Sequence, residues 1–210
     1  MSDDAEIVVI DYGGGNIGSL LAALERHRVT FDVSGDPARL QAARCAIFPG
    51  DGAFGATMDA LRRRKLDRGI VDFIALGRPF LGICVGMQIL FEGSTEFGAT
   101  AGLGILPGTI ERFSNAPRVP HMGWNRIEPV RSHAFVAGLG DHAYAYFLHS
   151  YRAPVGEATV ATTTHGDRFS SIVAQRNVMG TQFHPEKSRA TGRLLLDNFL
   201  QLNTSKEATP

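Results

Sequence analysis

Residues 6–28 read EIVVIDYGGGNIGSLLAALERHR. Ile7-Val8-Val9-Ile10 is an unbroken apolar run, the pattern of a strand covered on both faces. Gly13-Gly14-Gly15 then punctuates the chain, and from Ile17 onward apolar residues recur at helical spacing. Strand, glycine turn and helix in succession form the unit from which parallel α/β sheets are assembled.

The alternation continues outward from this stretch. Residues 29–34 predict a second strand, and residues 36–43 a short helix with Asp36 as N-cap and Pro37 at its first position. Residues 45–50 predict a third strand ending in a turn. Residues 55–77 are helical with a break near their middle. Residues 79–83 predict a fourth strand, followed by a helix from near Cys84 to about Phe91. After residue 107 the texture changes to short strand-like runs at 109–113, 124–130, 143–151, 158–165, 170–175 and 178–183. These predict an antiparallel or mixed extension of the same sheet. Residues 189–202 predict a closing helix. The expected fold is α/β: an open, mostly parallel twisted sheet with helices on both faces and a mixed C-terminal half. Residues 1–203 are expected to form one domain and 204–210 a flexible tail.

Composition narrows the functional classes. At 44% hydrophobic and 20% charged residues, the 210-residue chain has the balance of a globular protein with a true core. Lys plus Arg and Asp plus Glu total 21 each, so nothing electrostatic favours nucleic acid or an anionic membrane. The one basic run, Arg62-Arg63-Arg64-Lys65, reads as a solvated helix end. No apolar run reaches the roughly 18 residues of a membrane span. The N-terminus lacks the basic and long apolar regions of a signal peptide. The only cysteines are Cys45 and Cys84, without a CxxC, which argues against a disulfide framework and a thiolate zinc site. A cytoplasmic protein without metal or cofactor is expected.

In a parallel sheet, ligands bind beyond the carboxyl ends of the strands. Three glycine-rich turns lie at such ends. In the first, Gly13-Gly14-Gly15-Asn16-Ile17-Gly18 matches G-x-G-x-x-G, with Asp32 near the end of the next strand. A nicotinamide-binding dehydrogenase fragment is therefore a rival reading. A turn that merely reverses the chain is the other. The rival leaves Cys84 and the C-terminal motif below unexplained.

Another, Gly82-Ile83-Cys84-Val85-Gly86, places a cysteine where a strand turns sharply into a helix. Packing is the common role of such a thiol, and it is the role assigned to Cys45. At a strand-to-helix bend, however, flanking glycines relieve crowding around a nucleophile. The helix N-terminus favours the thiolate, and the N–H of Val85 points where an oxyanion would form. Far downstream, Thr181-Gln182-Phe183-His184-Pro185-Glu186 closes a strand. Side chains two apart in extended chain share a side, so Glu186 can bond one nitrogen of His184 and aim the other at a thiol. A metal fragment and a surface pair are the alternatives, but no other ligand cluster accompanies the motif. Taken together, the elements supply nucleophile, base, orienting acid and oxyanion donor, which is acyl-transfer chemistry through a thioester.

Gly-Ile-Cys-Val-Gly-Met-Gln (82–88) followed 100 residues after the cysteine by Phe-His-Pro-Glu (183–186) resembles the paired signatures of class I (triad) glutamine amidotransferases. The resemblance covers nearly the whole chain. It implies that Cys84 attacks the side-chain amide of glutamine, with His184 as base and then acid and Glu186 orienting it. It implies an oxyanion loop at Pro49-Gly50-Asp51-Gly52, whose N–H joins that of Val85. Gly50, Gly52, Gln88, His149, Ser150 and Tyr151 fall at substrate-binding positions. One departure stands out: the resemblance leads to an apolar residue where Asp51 sits, and an acid there opposes an oxyanion unless it faces solvent or a cation.

Free ammonia is protonated and lost in water, so such domains deliver it to a synthase. The chain ends just after the predicted closing helix, so a separate subunit is expected. Asp11-Tyr12-Gly13-Gly14-Gly15-Asn16, Val119-Pro120-His121-Met122-Gly123-Trp124-Asn125 and Lys187 are similar to the branch of the family serving imidazole glycerol phosphate synthase. Anthranilate-type and pyridoxal-phosphate-type branches differ there and remain the alternatives. By this likeness the partner is a (β/α)₈ cyclase subunit in histidine biosynthesis, held in a heterodimer. Asn16, His121, Met122, Trp124, Asn125, Tyr146 and Lys187 would lie near the boundary, although core packing is the plainer reading of Trp124 by itself.

Overall fold

The computed structural model describes residues 7–15 and 17–204. The first half follows the expected alternation: β1 (Ile7–Ile10), α1 (Gly18–Arg26), β2 (Phe31–Ser34), α2 (Pro37–Ala42) and β3 (Cys45–Gly50). Then come α3 (Phe54–Arg63), α4 (Leu66–Ala75) and β4 (Phe80–Cys84). Asp36 caps α2 by accepting from the Ala38 N–H at 2.9 Å. The expected break between α3 and α4 falls at Lys65, whose φ is 59°.

Beyond β4 the chain forms α5 (Val85–Gln88), β5 (Phe91–Ser94), β6 (Thr100–Ala101) and β7 (Leu106–Arg112). Next are β8 (His121–Arg126), β9 (Glu128–Pro129), β10 (Tyr144–His149) and β11 (Tyr151–Arg152). The last elements are β12 (Thr159–His165), β13 (Asp167–Gln175), β14 (Val178–Thr181) and α6 (Arg189–Thr204). Of the expected tail, residues 205–210 lie outside the described residues, and Thr204 still belongs to α6.

The large sheet has the order β2-β1-β3-β4-β14-β13-β12-β9. It is parallel from β2 to β14 and antiparallel beyond. Alternate residues of the central strands feed two cores. Ile7, Val9, Cys45, Ile47, Leu81 and Ile83 pack on the face that carries Leu24, Phe183 and Phe199. Val8, Ile10, Ala46, Phe48 and Phe80 pack on the opposite face with Phe54, Ile70 and Phe73. Burial on both faces accounts for the unbroken apolar runs. Cys45 is fully buried in the first core.

Two expectations need correction. The helix after Cys84 stops at Gln88 instead of continuing to Phe91, because Phe91 begins β5, which pairs in parallel with β7. Ile89, Leu90 and Phe91 are all buried, so their apolar run carries no helical periodicity to extend. The later strands do not all extend one sheet. β5, β6, β7 and β11 form a separate four-stranded sheet, and β8 and β10 a two-stranded ribbon.

Candidate functional site

The site begins at the bend between β4 and α5. Cys84 has φ 57° and ψ −114°, a backbone conformation that costs an L-residue about 1–3 kcal/mol. Surrounding contacts hold it there. A Cβ on Gly82 would lie 2.2 Å from the Gly86 carbonyl oxygen, and one on Gly86 would lie 2.3 Å from that of Phe48. Glycine at both flanks therefore lets the helix start directly against the sheet. Cys84 is 7% exposed and opens into a pocket of about 150 Å³.

β14 brings His184 to this bend. It runs parallel to β4 with Thr181 opposite Ile83, so one further step sets Gln182 level with Cys84. His184 Nδ1 lies 2.8 Å from Glu186 Oε1. A carboxylate only accepts, so Nδ1 carries the proton and the other ring nitrogen is left free to face Cys84, which lines the same pocket. Burial pulls the His184 pKa down. The bonds to Cys84 and Glu186, with their charges, outweigh burial and push it up to about 10. A charged imidazolium facing the sulfur is the consequence.

The route by which Glu186 reaches the ring differs from expectation. Pro185–Lys187 is a 3₁₀ turn, not extended chain, with His184 at its N-cap. Ser188 locks the turn by donating from Oγ to the His184 carbonyl at 2.7 Å and accepting from the Tyr146 N–H at 3.1 Å.

Of the predicted residues, Cys84, His184, Asp51, Gly52, Val85, Gln88, His149, Ser150 and Tyr151 all line the pocket. Gly50 does not; it is buried beneath, paired in register with Cys84. Val85 opens α5, so its N–H has no intrahelical acceptor. Asp51 is exposed, and its carbonyl accepts from the Tyr12 hydroxyl at 3.1 Å. Gln88 Nε2 donates to the Tyr151 carbonyl at 3.0 Å, which leaves its Oε1 as the acceptor available to a ligand. Glu96 and Leu148 also line the pocket and went unrecognised in the sequence. Glu96 is held by the Phe54 N–H, which donates to its Oε2 at 2.6 Å.

The residues assigned to a partner boundary divide into two sets. On the β8–β10 ribbon, Met122 stands opposite Leu148 and Trp124 opposite Tyr146. Met122, Trp124 and Leu148 are exposed, as is Lys187 immediately after Glu186 in sequence. The Arg189 guanidinium lies 5.4 Å over the Trp124 ring, so Trp124 is not core packing. His121, on the other face of the ribbon, is buried, and Asn125 is half-buried. Asn16 lies outside the described residues.

The first glycine turn gives no support to a nicotinamide site. Asp32, the acid that would take a ribose, is bonded to Arg39 at 2.7 Å, and the Arg64 guanidinium covers Gly13. Among the described residues, no cluster of three or more His, Cys, Asp or Glu side chains is arranged to hold a metal ion.

Comparison with known proteins agrees with this geometry. A model of the family glutamine amidotransferase class-I matches residues 8–202. The chain is 48% identical to a Salinibacter ruber protein named imidazole glycerol phosphate synthase subunit HisH, over 95% of this chain and 96% of that one. Proteins of the same name from Xanthomonas oryzae pv. oryzae and Lacticaseibacillus casei are 46% and 45% identical, over 94% and 96% of this chain and 98% of each of theirs. Among solved structures, a chain of Thermotoga maritima PurLQS superposes with a TM-score of 0.75 at 19% identity, covering 94% of this chain and 98% of that one. A glutamine amidotransferase crystal structure superposes at 0.73 and 22% identity, with coverage of 94% and 98%. At these identities the structural likeness concerns the fold.

Proposed function

This chain belongs to the class-I glutamine amidotransferase family, and from that premise we propose that it is the glutaminase subunit of an imidazole glycerol phosphate synthase, with Cys84, His184 and Glu186 as its triad. The observation that carries the reading is the Glu186–His184 hydrogen bond, with His184 and Cys84 lining one pocket at a strained bend. Relatives 45–48% identical over nearly their whole length support the choice of synthase over the anthranilate and pyridoxal-phosphate types.

The Cys84 thiolate attacks the side-chain carbonyl carbon of glutamine. The carbonyl electrons move onto oxygen, where the Val85 N–H and an N–H of the Asp51–Gly52 loop meet the charge. His184 gives its proton to the amide nitrogen, the C–N bond breaks, and ammonia leaves a thioester on Cys84. Water then attacks the thioester carbon, His184 takes its proton, the C–S bond breaks and glutamate is released. Glu186 keeps the imidazole in the required tautomer and stabilises its cation. Glu96 and the Gln88 Oε1 are acceptors suited to the substrate ammonium, and the Ser150–Tyr151 segment to its carboxylate end.

A subunit of this kind serves a cyclase. We assign that cyclase the (β/α)₈ form, in a heterodimer. It would use the ammonia to convert a ribulosyl formimino-aminoimidazole carboxamide nucleotide into imidazole glycerol phosphate and aminoimidazole carboxamide ribotide. The exposed apolar row Met122, Trp124 and Leu148 on the β8–β10 ribbon supports docking there. Residues 1–203 are taken as one amidotransferase domain, in keeping with the family match over 8–202. No helix among the described residues is long and apolar enough to cross a membrane, and a cytoplasmic setting is our reading. The test is covalent labelling by a chloro-ketone analogue of glutamine. Stoichiometric labelling at Cys84, blocked by glutamine, is expected; labelling elsewhere or none contradicts the assignment.

A further inference from the structure

The Thr181–Glu186 segment carries a buried side-chain amide that the reaction above leaves unused. Gln182 is fully buried, and its main-chain N–H is already bonded to the Ser171 carbonyl at 2.9 Å. Its side-chain amide bridges two residues of the site. Oε1 accepts from Gln88 Nε2 at 3.0 Å, and Nε2 donates to Cys84 Sγ at 3.9 Å.

Amide oxygen and nitrogen have nearly the same shape, so the surrounding bonds must fix which faces the sulfur. The starting point is the Tyr151 carbonyl, which can only accept. It takes one hydrogen bond from Gln88 Nε2 at 3.0 Å and another from His149 Nδ1 at 2.8 Å. Gln88 must therefore turn its NH₂ toward Tyr151, and the same NH₂ meets Gln182. Gln182 answers with its oxygen, which leaves its NH₂ facing Cys84. A flipped Gln182 would set donor against donor in a buried place.

We propose that Gln182 is a further catalytic residue, whose Nε2–H donates to the Cys84 sulfur whenever that sulfur bears negative charge. The inference rests on the reading of Cys84 as the nucleophile. A hydrogen bond to an ionised acceptor is about twice as strong as one to a neutral acceptor, and a thiol or thioester sulfur accepts only weakly. The donor therefore favours the thiolate over both neutral forms. It acts at two points of the cycle. Before attack it adds to the thiolate population. At the end, as water's oxygen bonds to the thioester carbon and the C–S bond breaks, the electron pair returns to a sulfur that again faces this N–H. Burial keeps water from competing for the bond.

The test is the pH profile of Cys84 alkylation by iodoacetamide in the full-length chain, read by mass spectrometry. Gln182→Met keeps the length and burial but lacks the N–H. Its profile is expected to move up by about one pH unit, with about tenfold slower alkylation near neutral pH. A profile equal to the native one overturns the proposal. Should the variant not fold, the native chain carries the test. The Gln182 side-chain amide resonances are expected to shift as Cys84 titrates, and that step to vanish in Cys84→Ala. An amide blind to the thiol overturns the proposal. The two claims fail separately: if Cys84 were not the nucleophile, the glutamine chloro-ketone would leave the native chain unlabelled. If only the role of Gln182 were wrong, native labelling would persist.

Discussion

His121 Nδ1 lies 3.0 Å from His149 Nε2, both rings buried and paired across the β8–β10 ribbon, with His149 also in the pocket wall. His149 gives its Nδ1 proton to the Tyr151 carbonyl at 2.8 Å, so its Nε2 accepts and His121 Nδ1 donates. His121 Nε2 then accepts from Asn125 Nδ2 at 3.1 Å. The chain of bonds thus runs in one direction from β8 to the pocket into which Cys84 opens. Replacement of His121 by Phe would leave the His149 Nε2 acceptor buried and unpaired. The expected loss is about 1–3 kcal/mol of stability, measured by denaturant unfolding.

Proton placement distinguishes these histidines from the triad. Burial lowers the His149 pKa to about 3 and that of His121 to about 4, the neighbouring histidines adding to the shift. His184 is raised to about 10. Nitrogen-15 NMR at pH 6 should find His121 and His149 neutral and His184 cationic. The stability effects have opposite signs. A lowered folded pKa means that the unfolded chain binds the extra proton, so the contributions are lost as pH falls from about 6.5 toward 4 for His121 and toward 3 for His149. The contribution of His184 is fully present below about 6.5 and is lost as pH rises toward 10.

Glu186→Gln keeps the size of the acid but removes its charge and offers an ambiguous partner to His184 Nδ1. Glutamine hydrolysis in the partner complex should fall by roughly 10²–10⁴-fold, with ammonia-driven synthesis intact. Activity within a few-fold of native would remove Glu186 from the triad.

Gly82→Ala sets a methyl group 2.2 Å from the Gly86 carbonyl oxygen, a backbone atom that cannot swing aside. The bend must open, and Cys84 moves with it. The expected result is loss of chloro-ketone labelling together with a lower melting temperature, whereas unchanged labelling would show that the elbow tolerates a Cβ.

Trp124→Ala removes an exposed ring that carries Arg189 on one face and stands opposite Tyr146 in the ribbon. Affinity for the cyclase should weaken by about thirtyfold or more, as for a buried aromatic anchor, with the isolated chain as stable as native. Titration calorimetry with purified partner measures the affinity, and thermal unfolding of the isolated chain its stability.

The sequence carried the first half of the fold because β1, β3 and β4 are largely apolar runs, β2 alternates apolar and polar residues, and Gly and Pro turns punctuate them. It misassigned Ile89-Leu90-Phe91, since a short buried run has no period by which to tell helix from strand. Missing β5 also hid Glu96, which enters the pocket only through the turn after that strand. His121 sits in sequence beside the exposed Met122. Yet strand alternation puts it opposite to Met122 and Trp124, and it could have been placed inward from the pattern alone. Gln182 stood inside a recognised motif, but its partners are 94 and 98 residues away in the chain and only the assembled sheet brings them together.

The most direct test of the whole account compares two ammonia sources in the purified complex of this chain with its cyclase. Cys84→Ala should abolish synthesis from glutamine and leave synthesis from ammonium salts at the native rate. Persistence of glutamine-dependent synthesis, or loss of both activities in a complex that still assembles, would contradict it.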